Sequence, residues 1–452
     1  MITCITSKAK NIFITFLIIF LLLAGCKTSS QQQTPDIPTL VYANLSKNSN
    51  IRSLVNKFNT AHAGEVRIEV RNYFEEDGWS GRERLLAEMA AGHGPDILDL
   101  RDLPYRALVQ QEYLEDLWPY IESDPDLGRE SILEAPFRAA EVDGGLYTLF
   151  DKVYVHTLVG AESVTGARYS WTLEELLKAF SHMPADSTIL EYYYDKDTAF
   201  YYVFRMVLDS YVDWETGECF FDSEQFRSSL EFVNSFPLEF EWTSSEEVNA
   251  EVTERILNER QMLAFKALWR PTDLQFLDAI YGQGGRASLI GYPMADGSPG
   301  STYYLPHNAY KMAMSSTCAD KEAGWALLRE LLLPQYANFD DEKFAEKGPE
   351  ALPVNRKDYE RLIRFDSSSR NTSKMSQSLY NGPTVQYHAA TEGELARYED
   401  FLGSIDKIEI CDNTLYSLVK ECCNPYFAGD KTLDETIQLI QNRVGLYVNE
   451  LR

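Results

Sequence analysis

Apolar positions in the first quarter of the chain switch between the two periods that mark strands and helices. Leu40-Val41-Tyr42-Ala43 is a short apolar run, and Ile51, Leu54, Val55 and Phe58 then recur at helical spacing. Glu65-Val66-Arg67-Ile68-Glu69-Val70 alternates as a strand, Arg82 to Ala91 reads as a helix, and Pro95-Asp96-Ile97-Leu98 is a further short strand opened by Gly94 and Pro95. The order βαβαβ predicts a mostly parallel sheet covered by helices, an α/β fold. Further on, Thr172-Leu-Glu-Glu175 and Thr432-Leu-Asp-Glu435 are capping boxes, each followed by an apolar helical face. Ala323 to Leu333 reads as a helix stopped by Pro334, and Gly282-Gln-Gly-Gly285 as a turn.

A chain of 452 residues exceeds the roughly 250 to 300 at which single cores stop growing, which predicts at least two lobes. With 69 acidic against 42 basic residues the formal net charge is -27, a balance that repels phosphate backbones and anionic headgroups. Nucleic acid is thereby excluded as the expected partner.

The N-terminus carries a segment of its own. Lys8 and Lys10 precede an apolar run from Asn11 to Leu23, which closes in Leu23-Ala24-Gly25-Cys26. A basic start, about a dozen apolar residues and a small-residue cleavage site make a secretion signal, whereas a bilayer span needs roughly 20 apolar residues. Leu-Ala-Gly-Cys resembles the lipobox of bacterial lipoproteins. The expectation is a signal peptide over 1–25, lipidation at Cys26, a flexible tether over 26–38 rich in Ser, Thr, Gln and Pro, and a folded body attached to the membrane through its lipid alone.

Five cysteines remain beyond Cys4 and Cys26: Cys219, Cys318, Cys411, Cys422 and Cys423. None has C-x-x-C spacing; the adjacent Cys422 and Cys423 are either a vicinal disulfide or two buried thiols. The six histidines are scattered without H-x-x-x-H spacing, and neither a G-x-S-x-G elbow nor a Gly-Lys-Ser/Thr phosphate loop occurs. No metal, cofactor or catalytic residue is expected. Acidic pairs such as Glu174-Glu175 belong to a helix first turn, where the macrodipole accounts for them.

Aromatic residues make 13% of the chain, and a secreted site for sugars needs flat apolar faces bordered by carboxylates and amides. Ligands of open α/β sheets sit beyond the strand carboxyl ends. Tyr42 and Asn44 end the first strand, Asp99 and Asp102 follow the third, and Trp269 follows the apolar run Met262 to Leu268.

Several stretches, in order, resemble the carbohydrate-binding extracellular solute-binding proteins of ABC importers, the family that includes maltose-binding protein. They are Glu88 to Leu100 with Ala-Ala-Gly-His-Gly-Pro-Asp-Ile, Tyr113-Leu-Glu-Asp-Leu-Trp-Pro-Tyr, Gly144-Gly-Leu-Tyr147-Thr-Leu, Tyr169-Ser-Trp171-Thr-Leu-Glu-Glu-Leu, Asn258 to Trp269, and Lys311-Met-Ala-Met-Ser-Ser316 through Trp325-Ala-Leu-Leu. The usual G-x-P of the crossing is absent, and Asp366 to Glu399 has no counterpart in the family pattern.

The resemblance implies a two-lobe periplasmic-binding-protein-like fold with a cleft between the lobes. It implies a first lobe of 36–150 plus 294–352 and a second of 151–293 plus 353–452. Hinge strands are expected at Tyr147 to Lys152, Gly291 to Met294 and Pro353 to Lys357. A monomer would capture a carbohydrate, an oligosaccharide by this reading, and deliver it to permease subunits without bond chemistry. The expected ligand contacts are Trp269 as the main stacking face, Tyr42 and Trp79 flanking it, Asn44, Asp99, Asp102 and Asp151 at hydroxyls, and Tyr304 and His307 at the rim. Two readings of other classes stand beside this one: a surface glycan-processing enzyme, and a binding lipoprotein for a peptide or other non-sugar ligand.

Overall fold

In the computed structural model, which describes residues 37–47, 50–74, 81–205, 207–294, 296–410 and 412–451, the alternation at the start of the chain becomes a sheet. Strands β1 (Thr39–Asn44), β2 (Arg67–Asn72) and β3 (Ile97–Asp99) are joined by the helices Ile51–Ala61 and Arg82–Ala90. β1 pairs in parallel with both of its neighbours. β2 begins two residues later than the alternation suggests, because the amides of Glu65 and Val66 are still held by the His62 carbonyl and Gly64 turns the chain with φ +89°. The sheet is completed from far away: β8 (Met312–Met314) lies antiparallel against β3, giving the order β2-β1-β3-β8.

The second sheet is built around β4 (Lys152–Ala161). β5 (Ala264–Leu268), β6 (Ala287–Leu289), β7 (Thr302–Tyr304) and β9 (Leu352–Pro353) all pair antiparallel with it, and β12 (Ile408–Glu409) joins β7 in parallel. Side chains alternate across this sheet. Val153, Val155, Leu268 and Tyr303 are buried in a core that continues to Leu40, Ile68 and Leu98 of the first sheet. His156, Phe265 and Tyr304 meet in ring contacts on the opposite face.

The polypeptide passes between the sheets at three places. The first is 149–152, where Leu149 bridges Met312 just before β4 begins. The second lies between β7 and β8, at 305–311, and the third between β8, paired with β3, and β9, paired with β4. The second differs from the hinge expected at Gly291 to Met294. That stretch folds back on itself: Gly291 has φ +72°, Tyr292 N–H bonds to the Gly300 carbonyl, and a Cβ on Gly300 would lie 1.8 Å from the Tyr292 oxygen. The approach of Gly291 and Tyr292 to Gly300 doubles the chain back ahead of β7.

Two further apolar clusters complete the half built on β4. One joins the helices Lys196–Phe204, Glu224–Asn234, Asn413–Phe427 and Leu433–Glu450 through Phe200, Phe226, Leu230, Val419, Ile440 and Val444. Both predicted capping boxes form, at Thr172 with Glu175 and at Thr432 with Glu435. Cys422 and Cys423 are buried free thiols in this cluster; Cys219 and Cys318 are also free, and Cys411 lies outside the described residues. The segment without family counterpart holds a hairpin, β10 (Ser376–Ser378) and β11 (Thr384–Gln386), and opens the helix Glu392–Ser404. Among the described residues no helix is long and apolar enough to cross a membrane.

Candidate functional site

The carboxyl ends of β1 and β3 and the same-side ends of β7 and β12 face one another. On the first side, Asp99 is wholly buried at the end of β3, and Arg101 closes on it as a fork, with Nε 3.0 Å from both carboxylate oxygens and Nη2 2.8 Å from Oδ2. Burial lifts Asp99 above the ordinary carboxylate range while Arg101 pulls it back down. Tyr42 is buried beside this pair, and burial, with Asp99 adding to it, holds its phenol well above the usual value. Arg101 itself keeps a quarter of its side chain exposed, so the guanidinium is the group this pair presents to the cleft.

On the second side stands an aromatic wall. His156 and Tyr304 stack with ring centroids 4.1 Å apart, Phe265 meets His156 edge-on at 4.8 Å, and Tyr202 lies 4.7 Å from Phe265. Beside them Glu409, the residue paired with Tyr304 in the β12–β7 register, is bonded by Arg205, whose guanidinium also lies over the Tyr201 ring at 5.0 Å. Burial raises Glu409 and Arg205 lowers it; burial and then the Arg205 charge push His156 down to about 4, so the imidazole is neutral near neutral pH.

One cation serves both sides. Lys311, buried in the second passage between the sheets, acts electrostatically on Asp99 and on Glu409, lowering both. Around this centre the two sides touch: Asp102, in the left-handed region at φ 62°, accepts from Asn413, and Arg106 lies 3.9 Å from Asp209. Arg82 donates to the Tyr447 hydroxyl at 2.5 Å and lies 3.6 Å from Asp412, which Tyr447 holds at 2.6 Å. Arginine–carboxylate forks beside apolar ring faces suit a ligand with many hydroxyls: rings take C–H faces and the fixed donors and acceptors take oxygens.

The structure gathers several residues picked from sequence around Arg101. Tyr42, Asp99 and Asp102 flank it, and the His307 carbonyl accepts from its Nη1 at 3.4 Å while the His307 residue is exposed. Asp151 reaches the same region through the Tyr310 amide, which donates to it at 2.9 Å. Asn44 is buried and donates to Asn72 at 3.0 Å, closing the sheet edge. Tyr304 stands in the opposite wall. Trp269 leaves β5 at the sheet edge where Tyr304 ends β7, since Leu268 and Tyr303 both pair with Val155; its ring lies beneath the Arg270 guanidinium at 4.8 Å and lines a hollow of about 720 Å³ with Phe344, Phe365 and Arg370. Trp79 falls outside the described residues. Sequence reasoning passed over Arg101, His156, Tyr201, Tyr202, Arg205, Lys311 and Glu409. The Phe200-Tyr-Tyr-Val-Phe204 run, opened by the Asp195 cap of its helix, was the one local signal available for them.

No protein-family model matches this sequence, and no curated protein matches it by sequence. In fold the chain is similar to the sugar-binding protein MalE from the phytopathogen Xanthomonas citri, at 17% identity over 91% of this chain and 98% of that one, with a TM-score of 0.51. It is also similar to a periplasmic oligogalacturonide binding protein from Yersinia enterocolitica, at 13% identity over 91% of this chain and 99% of that one, with a TM-score of 0.50. Likeness at this identity shows the fold alone: a two-lobe α/β architecture of the kind these two proteins have.

Proposed function

We propose that this chain is the extracytoplasmic capture subunit of an ABC importer for carbohydrate, tethered to the cell membrane by lipid on Cys26 and acting as a monomer without cofactor or bond chemistry. The observation that carries the reading is the pairing, in one interlobe cleft, of the ring wall Tyr304, His156 and Phe265 with the arginine–carboxylate pairs of Asp99 and Glu409. Each carboxylate is engaged by a guanidinium, which suits both to fixed polar anchoring. In this reading the first lobe comprises the segments feeding β1–β3 and β8, and the second those feeding β4–β7 and β12. A ligand touching both lobes binds the closed form more tightly and shifts the population toward it, and the permease reads that form. The fold likeness to a sugar-binding and an oligogalacturonide-binding protein supports this class of ligand.

Titration calorimetry over an oligosaccharide panel, with small-angle scattering on the best ligand, tests it. The expected result is binding with a smaller radius of gyration and recovery of unchanged sugar; a peptide binding where no sugar does would overturn it. Cell fractionation of Cys26→Ser tests the anchor, whose expected outcome is loss of the protein from membranes.

A further inference from the structure

Ring contacts run from Phe265 and Tyr202 through Tyr194, which is buried in the core of the second lobe, and emerge at that lobe's surface. Tyr202 stacks on Tyr194 with centroids 5.2 Å apart and planes 8° from parallel, Tyr194 meets Tyr193 at 5.3 Å, and Tyr193 meets Trp242 at 5.5 Å. Phe240 packs edge-on against Trp242 at 5.2 Å and against Tyr192 at 5.3 Å. The outer end is bare: Trp242 is 62% exposed, and Leu238 beside it 52%. An indole held by two ring neighbours and left open on its remaining surface is a platform for something flat and partly apolar.

Charge narrows the occupant. Glu239 and Glu241 flank Phe240 in sequence and are exposed, and Glu246 and Glu247 stand exposed in the first turn of the helix that follows. The cations nearby are engaged: Arg255 is paired with Glu251 at 2.7 Å while covering Tyr192, and Lys266 lies over the Tyr281 ring and acts on Glu191. A chain of uronic acids would meet uncompensated carboxylates here, whereas neutral hydroxyls meet acceptors.

Resting on the carbohydrate reading, we propose that Tyr193, Phe240 and Trp242 form an outer subsite for an uncharged oligosaccharide whose inner end lies against Tyr304, His156 and Phe265. The ligand is therefore a chain long enough to leave the cleft, and its length is read at Trp242.

The experiment is calorimetry with malto-, cello-, xylo- and mannooligosaccharides from disaccharide to hexasaccharide, and with oligogalacturonides of matched length, on the wild type, Trp242→Ala and Trp242→Phe. Trp242 is exposed, so the variants are expected to keep the wild-type thermal midpoint. For the neutral series that binds, Trp242→Ala is expected to weaken the hexasaccharide about tenfold, to leave the disaccharide unchanged, and to be largely rescued by Trp242→Phe. Loss that is equal at every length, or absent at every length, would overturn the outer subsite and leave the carbohydrate reading standing. Preference for oligogalacturonides over every neutral series would overturn the assignment of an uncharged ligand. If no glycan of any length binds the wild type, the carbohydrate reading itself falls and the subsite with it.

Discussion

His156 and Tyr304 lie face to face across β4 and β7, ring centroids 4.1 Å apart and planes 16° from parallel. The stack removes the imidazole from water and the Arg205 guanidinium nearby disfavours a second positive charge, and together they outweigh the Glu409 carboxylate 3.9 Å from Nδ1.

Stability should therefore depend on pH through this ring. The folded-state pKa is depressed from 6.5 to about 4, so the unfolded chain takes up the proton first as pH falls. The neutral ring's contribution is present in full above pH 6.5 and is lost as pH drops through that window toward 4, by at most about 3 kcal/mol. Buried carboxylates such as Glu409, raised by burial, act in the opposite direction, so the measurement is a difference. Urea unfolding of the wild type and His156→Gln at several pH values should show the wild type losing its advantage across that window; parallel curves would contradict the assignment.

Removing the Tyr304 ring should weaken binding of the preferred sugar by about 1.5 kcal/mol, since a stacking face is lost and the neighbouring imidazole becomes hydrated. Trp269, which opens into a separate hollow beneath Arg270, should matter less. Calorimetry on Tyr304→Ala and Trp269→Ala side by side decides between them; a larger loss at Trp269 would move the stacking site to that hollow.

Arg82, Asp412 and Tyr447 join the lobes through groups that are nearly all removed from water. Arg82→Ala takes the guanidinium from Asp412, whose side chain is 3% exposed but keeps its bonds from Tyr447 and from the amides of Thr414 and Leu415, and should cost about 1.5 kcal/mol in the closed arrangement. The lobes relieve that cost by parting. Scattering on the ligand-free variant should give a larger radius of gyration than the wild type, with weaker ligand affinity and a thermal midpoint moved far less than a core substitution would move it.

Arg205 and Glu409 provide a test within one lobe. Arg205→Ala leaves a carboxylate that is 5% exposed without its guanidinium and should destabilise the fold by about 2 kcal/mol, less than a fully buried pair because Arg205 is itself a quarter exposed. Adding Glu409→Gln should recover part of the loss. Chemical denaturation of the two single variants and the double variant closes the cycle.

What could be read from the sequence was local. The strands and helices from Leu40 to Asp99 and the boxes at Thr172 and Thr432 follow from spacing within a turn or two of chain, and they formed as expected, β2 with a small shift at Gly64. The cleft was legible where it lies just past a strand of that local pattern, as at Tyr42 and Asp99. It was not legible where pairing is remote: Arg205 meets Glu409, and Asn413 meets Asp102, only because strands and helices from distant parts of the chain are laid side by side. The second hinge was misplaced for the same reason, since only the pairing of Tyr303 with Val155 shows that the chain has not yet left the second lobe at Met294. Trp269 follows an apolar run as a cleft residue would, and β5 ends level with β7, Leu268 and Tyr303 both pairing with Val155, but the Trp269 ring turns beneath Arg270 into the hollow at Phe344 and Phe365.

β8 gives the first sheet its last strand, and it arrives only after β4 to β7 of the second sheet have been laid down. Until then Ile97, Leu98 and Asp99 present unpaired backbone along a bare apolar edge. Such an edge accepts any strand it meets, and partners so distant along the chain are slow to find it. Recovery from denaturant is thus a race between Met312–Met314 and the same edge on a neighbouring molecule, one that dilution wins and crowding loses.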